Sequence, residues 1–196
     1  LNLDPVHDLQ AVFRALMAAT ASPGTIRDIG ARARRIDIDV PIPRPMLAIA
    51  MTLLDAETSF CLRSSPGAEF AEAAISRMTS ARPAPVGEAD FILSIEDGPG
   101  LAESIAAARG GTLVDPHLGA TIVALSETLG SGASLRLSGP GIASSAFLDA
   151  GLGDEWVAAR AEKNREYPLG IDMLIVDREG RVASLPRTTV VAAGGR

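Results

Sequence analysis

Arg187, Thr188 and Thr189 directly follow Pro186, so a guanidinium and two hydroxyls arrive together at one exit from an apolar run. Such a set can clamp a carboxylate or a phosphate-type group, because arginine presents paired N–H donors in a fixed plane and keeps its charge. The same arginine can instead neutralise an internal acid such as Asp172, and the residue types leave both uses open. A second stretch, Ser138-Gly139-Pro140-Gly141, follows a predicted strand, and Gly139 and Gly141 can turn backbone N–H groups toward an anion. Pro140 has no N–H to offer, so a plain tight turn suits this stretch better.

Other chemistries find less support. His7 and His117 are the only histidines, Cys61 is the single cysteine, and no two of them have ligand spacing, so no metal site is expected. There is no Gly-x-Ser-x-Gly elbow, and no catalytic residue is assigned. Pyridoxal phosphate needs a Schiff-base lysine. Only Lys163 is present, beside Glu162, Asn164, Arg165 and Glu166 on the polar side of a predicted helix, where surface placement fits better and no cofactor is expected.

Composition bounds the rest. A chain of 196 residues suits a single domain, 1–196, that buries roughly 70% of its unfolded surface. With 47% hydrophobic but only 4% aromatic residues, the core must be aliphatic. A net charge of −6 without long single-sign runs argues against nucleic acid or an anionic membrane as partner. The longest apolar block, 46–54, is too short to span a bilayer and reads as a buried helix. The lone cysteine and the lack of a signal-peptide pattern point to a cytoplasmic location.

The Arg-Thr-Thr exit needs a scaffold, and the chain supplies a hairpin with proline at both ends. Ile171 to Val176 is an apolar, β-rich run, Asp177-Arg178-Glu179-Gly180 has turn chemistry, and Arg181 to Leu185 alternates before Pro186. Pro168, Gly170, Asp172 and Pro186 are its structural markers. Upstream, Asp4-Pro5 opens a helix with Val6, Leu9, Phe13, Leu16 and Met17 on its inward stripe. An edge strand is expected within 25–39, strands at 58–63, 90–95, 120–125 and 135–137, and a loop at 82–85. Further helices are expected from Ser65-Pro66 with Phe70, Ala74 and Met78 inward, and over 101–109 after a Gly98-Pro99-Gly100 turn. Another begins at Asp154, with Trp156 inside and Arg160, Glu162, Lys163 and Arg165 outside. The alternation implies an α/β sandwich of three layers, a mixed central sheet between helices, closed by the C-terminal antiparallel hairpin.

The ordered set Leu137-Ser-Gly-Pro-Gly-Ile142, Tyr167-Pro-Leu-Gly-Ile-Asp172 and Leu185-Pro-Arg-Thr-Thr189 resembles the PhnH family, the H subunit of the bacterial phosphonate carbon–phosphorus lyase system. Phe13-Arg14, Leu16-Met17, Pro23-Gly24-Thr25, Leu54-Asp55, Glu57-Thr58 and Gly119-Ala-Thr121 extend the likeness along nearly the whole chain. The resemblance implies a fold like the large domain of pyridoxal-phosphate-dependent transferases, without the cofactor. It also implies a non-catalytic assembly subunit that dimerises when isolated and joins sister subunits of the core complex. That complex couples a phosphonate to the ribose of ATP. The alternative is a phosphonate- or nucleotide-binding enzyme or sensor acting through Arg187, Thr188 and Thr189 with Gly139 and Gly141.

Overall fold

The computed structural model describes residues 2–64 and 69–194. In chain order the elements are α1 (His7–Ala21), β1 (Arg27–Asp28), α2 (Gly30–Ala33), α3 (Arg44–Leu53), β2 (Ser59–Arg63), α4 (Glu69–Thr79), β3 (Arg82–Pro83), β4 (Phe91–Ser94) and α5 (Gly98–Ala107). A short 3-10 turn (Pro116–Leu118) leads to β5 (Thr121–Ser126), β6 (Gly130–Ser138), β7 (Ala146–Asp149), α6 (Glu155–Lys163), β8 (Asp172–Asp177), β9 (Arg181–Leu185) and β10 (Val190–Ala193).

Seven strands form a mixed sheet in the order β1-β9-β8-β5-β4-β2-β3. The run β3, β2, β4, β5 and β8 is parallel, while β8 and β9 form the expected antiparallel hairpin, with Met173 opposite Leu185 and Val176 opposite Val182. Strand alternation sends side chains to two cores. On β5, Val123 and Leu125 join α1 to α4 on one face, whereas Ile122 and Ala124 join α5 and α6 on the other. On β8, Leu174 and Val176 face the first core and Met173 and Ile175 the second. Both faces being covered explains why these strands read as continuous apolar runs.

The second core is completed by a sheet that periodicity did not anticipate: β6 is flanked by β10 and β7, all antiparallel, and contributes Leu135 and Leu137. The hairpin is therefore not the last strand pair, because β10 follows the Arg-Thr-Thr exit. The apolar block 46–54 forms α3 from Met46 to Leu53 and its C-cap Leu54, with Met46 through Ala50 and Leu54 buried in the first core.

Several expected details are corrected. The edge strand of 25–39 is only β1, paired with β9, after which the chain turns into α2. The expected loop at 82–85 contains β3, and Gly98-Pro99-Gly100 is the first turn of α5, where the missing proline N–H is harmless. On α4 the buried residues are Ala71 and Ile75, with Met78 packed alongside; Phe70 is exposed. The Ser65-Pro66 start lies outside the described residues.

On α1, Asp4 does cap the first turn, accepting from the N–H groups of Val6 and His7 at 2.9 and 3.0 Å. The buried stripe, however, is Asp8, Val12, Leu16 and Ala19, which leaves Val6, Phe13 and Met17 facing out. The buried Asp8 carboxylate is satisfied by Arg32 at 3.0 Å, Arg35 at 3.1 Å and the Asp4 N–H at 2.9 Å.

Candidate functional site

The hairpin is fixed at its turn before it can position anything at its ends. Asp177, fully buried, accepts from the N–H groups of Glu179, Gly180 and Arg181 through Oδ1, and from Arg181 Nε and the Leu129 N–H through Oδ2. Gly180 takes φ of +95° there, a conformation that glycine adopts without a Cβ penalty.

At the open end, Asp172 begins β8 and Arg187 lies two residues beyond β9. The Asp172 carboxylate accepts the Arg187 N–H at 2.7 Å, its Nε at 3.1 Å and its Nη2 at 2.6 Å. Arg187 Nη1 donates to the carbonyls of Pro116 and Pro168, at 2.8 and 3.3 Å. Each nitrogen of Arg187 thus has a protein acceptor. Of the two uses its residue type allows, the arginine is engaged in the internal ion pair across the hairpin.

The neighbours are shaped to this arrangement. A Cβ on Gly119 would collide with the Gly170 carbonyl and the Arg187 guanidinium. Gly170 has φ of +133°, and a Cβ there would strike Asn164, whose side chain accepts from the Ile171 N–H at 2.8 Å and donates to the Ile171 carbonyl at 3.1 Å. The Tyr167–Pro168 peptide is cis, and the Pro168 carbonyl is one acceptor of Arg187.

Helix α6 contributes the group that the sequence reading placed outside. Arg160 is 2% exposed, not on the wet face. It lies four residues after buried Trp156 and so shares its inward face. Its Nη1 donates to the Thr189 carbonyl at 2.9 Å, and its Nη2 to those of Leu185 at 3.1 Å and Pro186 at 2.7 Å. Burial pushes its pKa down to about 10, partly opposed by the charge of Asp172. Lys163, one turn later, donates to the carbonyls of Ala106 and Ala108, both at 2.7 Å, at the C-terminal end of α5. Burial lowers its pKa, and the two carbonyls tie its amino group to the end of α5.

Pro168, Gly170, Asp172, Pro186, Arg187 and Thr189 therefore converge. Gly139, at φ of +126°, joins them by packing on the Thr188 carbonyl, while Val190 pairs with Ser138. Gly141 instead packs on the Ala21 carbonyl and Pro23, beyond the C-terminal end of α1. Thr188 is half-buried and Thr189 fully buried, with no hydrogen-bond partner for Oγ1. Among the described residues, no group of three or more His, Cys, Asp or Glu is placed to hold a metal ion, and no helix is long and apolar enough to cross a membrane.

Comparison with known proteins gives a whole-chain likeness. The family model described as bacterial phosphonate metabolism protein (PhnH) matches residues 2–192. A protein of Stutzerimonas stutzeri named for a C-P lyase subunit, HtxG, is 34% identical over 187 residues, covering 95% of this chain and 87% of its own. One from Rhizobium meliloti (strain 1021), named alpha-D-ribose 1-methylphosphonate 5-triphosphate synthase subunit PhnH, is 32% identical over 195 residues, covering 95% of this chain and 91% of its own.

Proposed function

Because the chain belongs to the PhnH family of bacterial phosphonate metabolism proteins, we propose that it is a non-catalytic assembly subunit of a carbon–phosphorus lyase core complex. In that role it serves phosphonate catabolism by supporting the complex that joins a phosphonate to the ribose of ATP. The observation that carries this reading is that both relatives, each matched along 95% of this chain, are named as subunits.

Two features of the molecule support an action through surfaces. The guanidinium and carboxylate of the most conspicuous polar cluster are spent on each other, leaving the hairpin end as a positioning device. Val6, Phe13 and Met17, at 69%, 46% and 52% exposure, put an apolar stripe on the outside of α1. Exposed large apolar side chains grouped this way mark interaction surfaces. Beside them runs a groove of about 290 Å³, with Leu53, Phe91 and Pro186 in its lining.

The same reading includes self-association as a homodimer when the sister subunits are absent, a cytoplasmic location, and a fold like the large domain of pyridoxal-phosphate-dependent transferases without the cofactor. A central mixed sheet with helices on both faces supports that likeness. The test of requirement is genetic: a host lacking this chain should stop growing on a phosphonate as its phosphorus source and recover when the chain is restored. Undiminished growth without it would contradict the proposal.

A further inference from the structure

Three arginines surround one opening at the end of the hairpin turn. Arg34 is the C-cap of α2, Arg44 the first residue of α3, and Arg178 a corner of the turn between β8 and β9. All three are exposed, and among the described residues none has a hydrogen bond or ion pair from its side chain. They line a cleft of about 400 Å³ in which Glu179 is the one acid. The chain carries −6 overall, so this local excess of positive charge runs against its average. The backbone beneath is fixed: the Ile29 N–H donates to the Gly180 carbonyl at 2.8 Å, and Gly30 packs so closely on the Glu179 carbonyl that a Cβ would collide. Arg44 also stands at a helix N-terminus, where a cation is the disfavoured charge, so helix stability does not explain its presence.

We propose that this cleft binds a small organic polyphosphate, with its phosphate chain on Arg34, Arg44 and Arg178. Free guanidiniums give charge-assisted, paired hydrogen bonds to phosphate oxygens, and three of them match a di- or triphosphate better than a single phosphate. Pro43 and Arg178 also border a second pocket of about 380 Å³, whose remaining wall is apolar: Val40, Pro41, Ile42 and Ile95. Cationic and apolar pockets side by side suit a ligand with an anionic end and an uncharged organic end. Each has the volume of a small-ligand cleft, which runs to roughly 300–1,000 Å³. The place in the fold agrees. Arg178 directly follows β8 and Ile95 directly follows β4, so the two pockets lie at the carboxyl ends of parallel strands, where open α/β sheets usually receive ligands. Polyphosphate binding is separate from the assembly role proposed above, and either can hold without the other.

Calorimetric titration of the full chain with ATP tests the site. Saturable one-to-one binding is expected. Inorganic triphosphate should bind more weakly because it leaves the apolar pocket empty, and AMP about tenfold more weakly or worse because it leaves arginines unmatched. Arg44→Ala and Arg178→Ala should each weaken ATP binding about tenfold, as loss of a charge-assisted bond does. Neither side chain has a protein partner, so thermal stability should stay near wild type. Arg136→Ala removes the same charge from an exposed position on β6, across the central sheet, and should leave binding unchanged. No saturable heat with millimolar ATP would overturn the proposal, as would AMP or triphosphate binding as tightly as ATP, or equal weakening by Arg136→Ala. It would also be overturned if Arg44→Ala and Arg178→Ala kept ATP binding but lost recovery of the sister subunits, which would assign the arginines to an acidic protein surface.

Discussion

Asp172 accepts three hydrogen bonds from Arg187, one from its backbone N–H and two from its guanidinium, so the start of β8 is bolted to the residue that leaves β9. The arginine side chain is 15% exposed and the aspartate 35%, which places the pair between a surface and a buried ion pair. Arg187→Ala should cost about 2 kcal/mol and Asp172→Asn somewhat less, below the full penalty of breaking a buried pair. In a double-mutant cycle read by chemical denaturation, the two changes should couple by about 1 kcal/mol or more; additivity would contradict the pairing.

Arg160 bears on stability through the carbonyls it collects. Arg160→Met keeps the bulk but orphans the carbonyls of Leu185, Pro186 and Thr189, and should cost about 3 kcal/mol. Arg160→Lys should rescue little, because a single ammonium cannot span three acceptors as a planar fork does. Thermal unfolding of the three proteins checks this, and wild-type stability in the lysine variant would contradict it.

Gly170 and Gly119 are held by close approach as well as conformation. Gly170→Ala would strain a backbone at φ of +133° and strike Asn164, while Gly119→Ala would push on the Gly170 carbonyl and Arg187. Each should destabilise by about 2 kcal/mol or more, against a few tenths for alanine at an unconstrained surface glycine. Gly87, whose added Cβ meets only ordinary contact at 3.4 Å, is the control.

The N-terminal helix should respond to acid. Hydrogen bonds from the His7 N–H and ring, and from the Val6 N–H, hold the Asp4 carboxyl at about 2, down from 3.8. The Asp4 N–H, Arg35 and Arg32 lower Asp8 against the opposing effect of burial. For a carboxyl with a depressed folded pKa, the stabilisation is present above its unfolded value and is lost as pH falls through the folded one. Amide exchange in the first turns of α1 should therefore accelerate as pH drops from 3.8 toward about 2, beyond the intrinsic pH dependence of exchange. In Asp4→Asn the Asp4 share of this response should disappear.

Much of this fold was legible because period-two and apolar-run signals are local. The strands β2, β4, β5, β8 and β9 lie within a residue or two of their expected bounds, and the hairpin turn follows from Asp177 and Gly180. Two of the errors share a cause: a polar residue was buried by partners far away in sequence. Asp8 faces inward because Arg32 and Arg35 neutralise it, which rotates α1 and turns Phe13 and Met17 outward. Arg160 is inside because carbonyls 25 to 29 residues later receive it. Its spacing from Trp156 was the one local hint. The pairing of β6 with β7 and β10 depends on strands of only four residues at their other edges, too short for periodicity to reveal. At the site, no local signal beyond that spacing marked Arg160 as a buried cation whose hydrogen bonds all go to carbonyls.

The assembly role rests most directly on one measurement. The affinity-tagged chain, co-expressed with the other subunits of a phosphonate carbon–phosphorus lyase complex, should recover them in fixed stoichiometry, with a complex mass read by native mass spectrometry. Charged substitutions on the outward stripe, Phe13→Glu with Met17→Lys, should reduce that recovery while the variant chain keeps wild-type thermal stability. A wild-type chain that is purified free of every sister subunit, while those subunits assemble and function without it, would contradict the account.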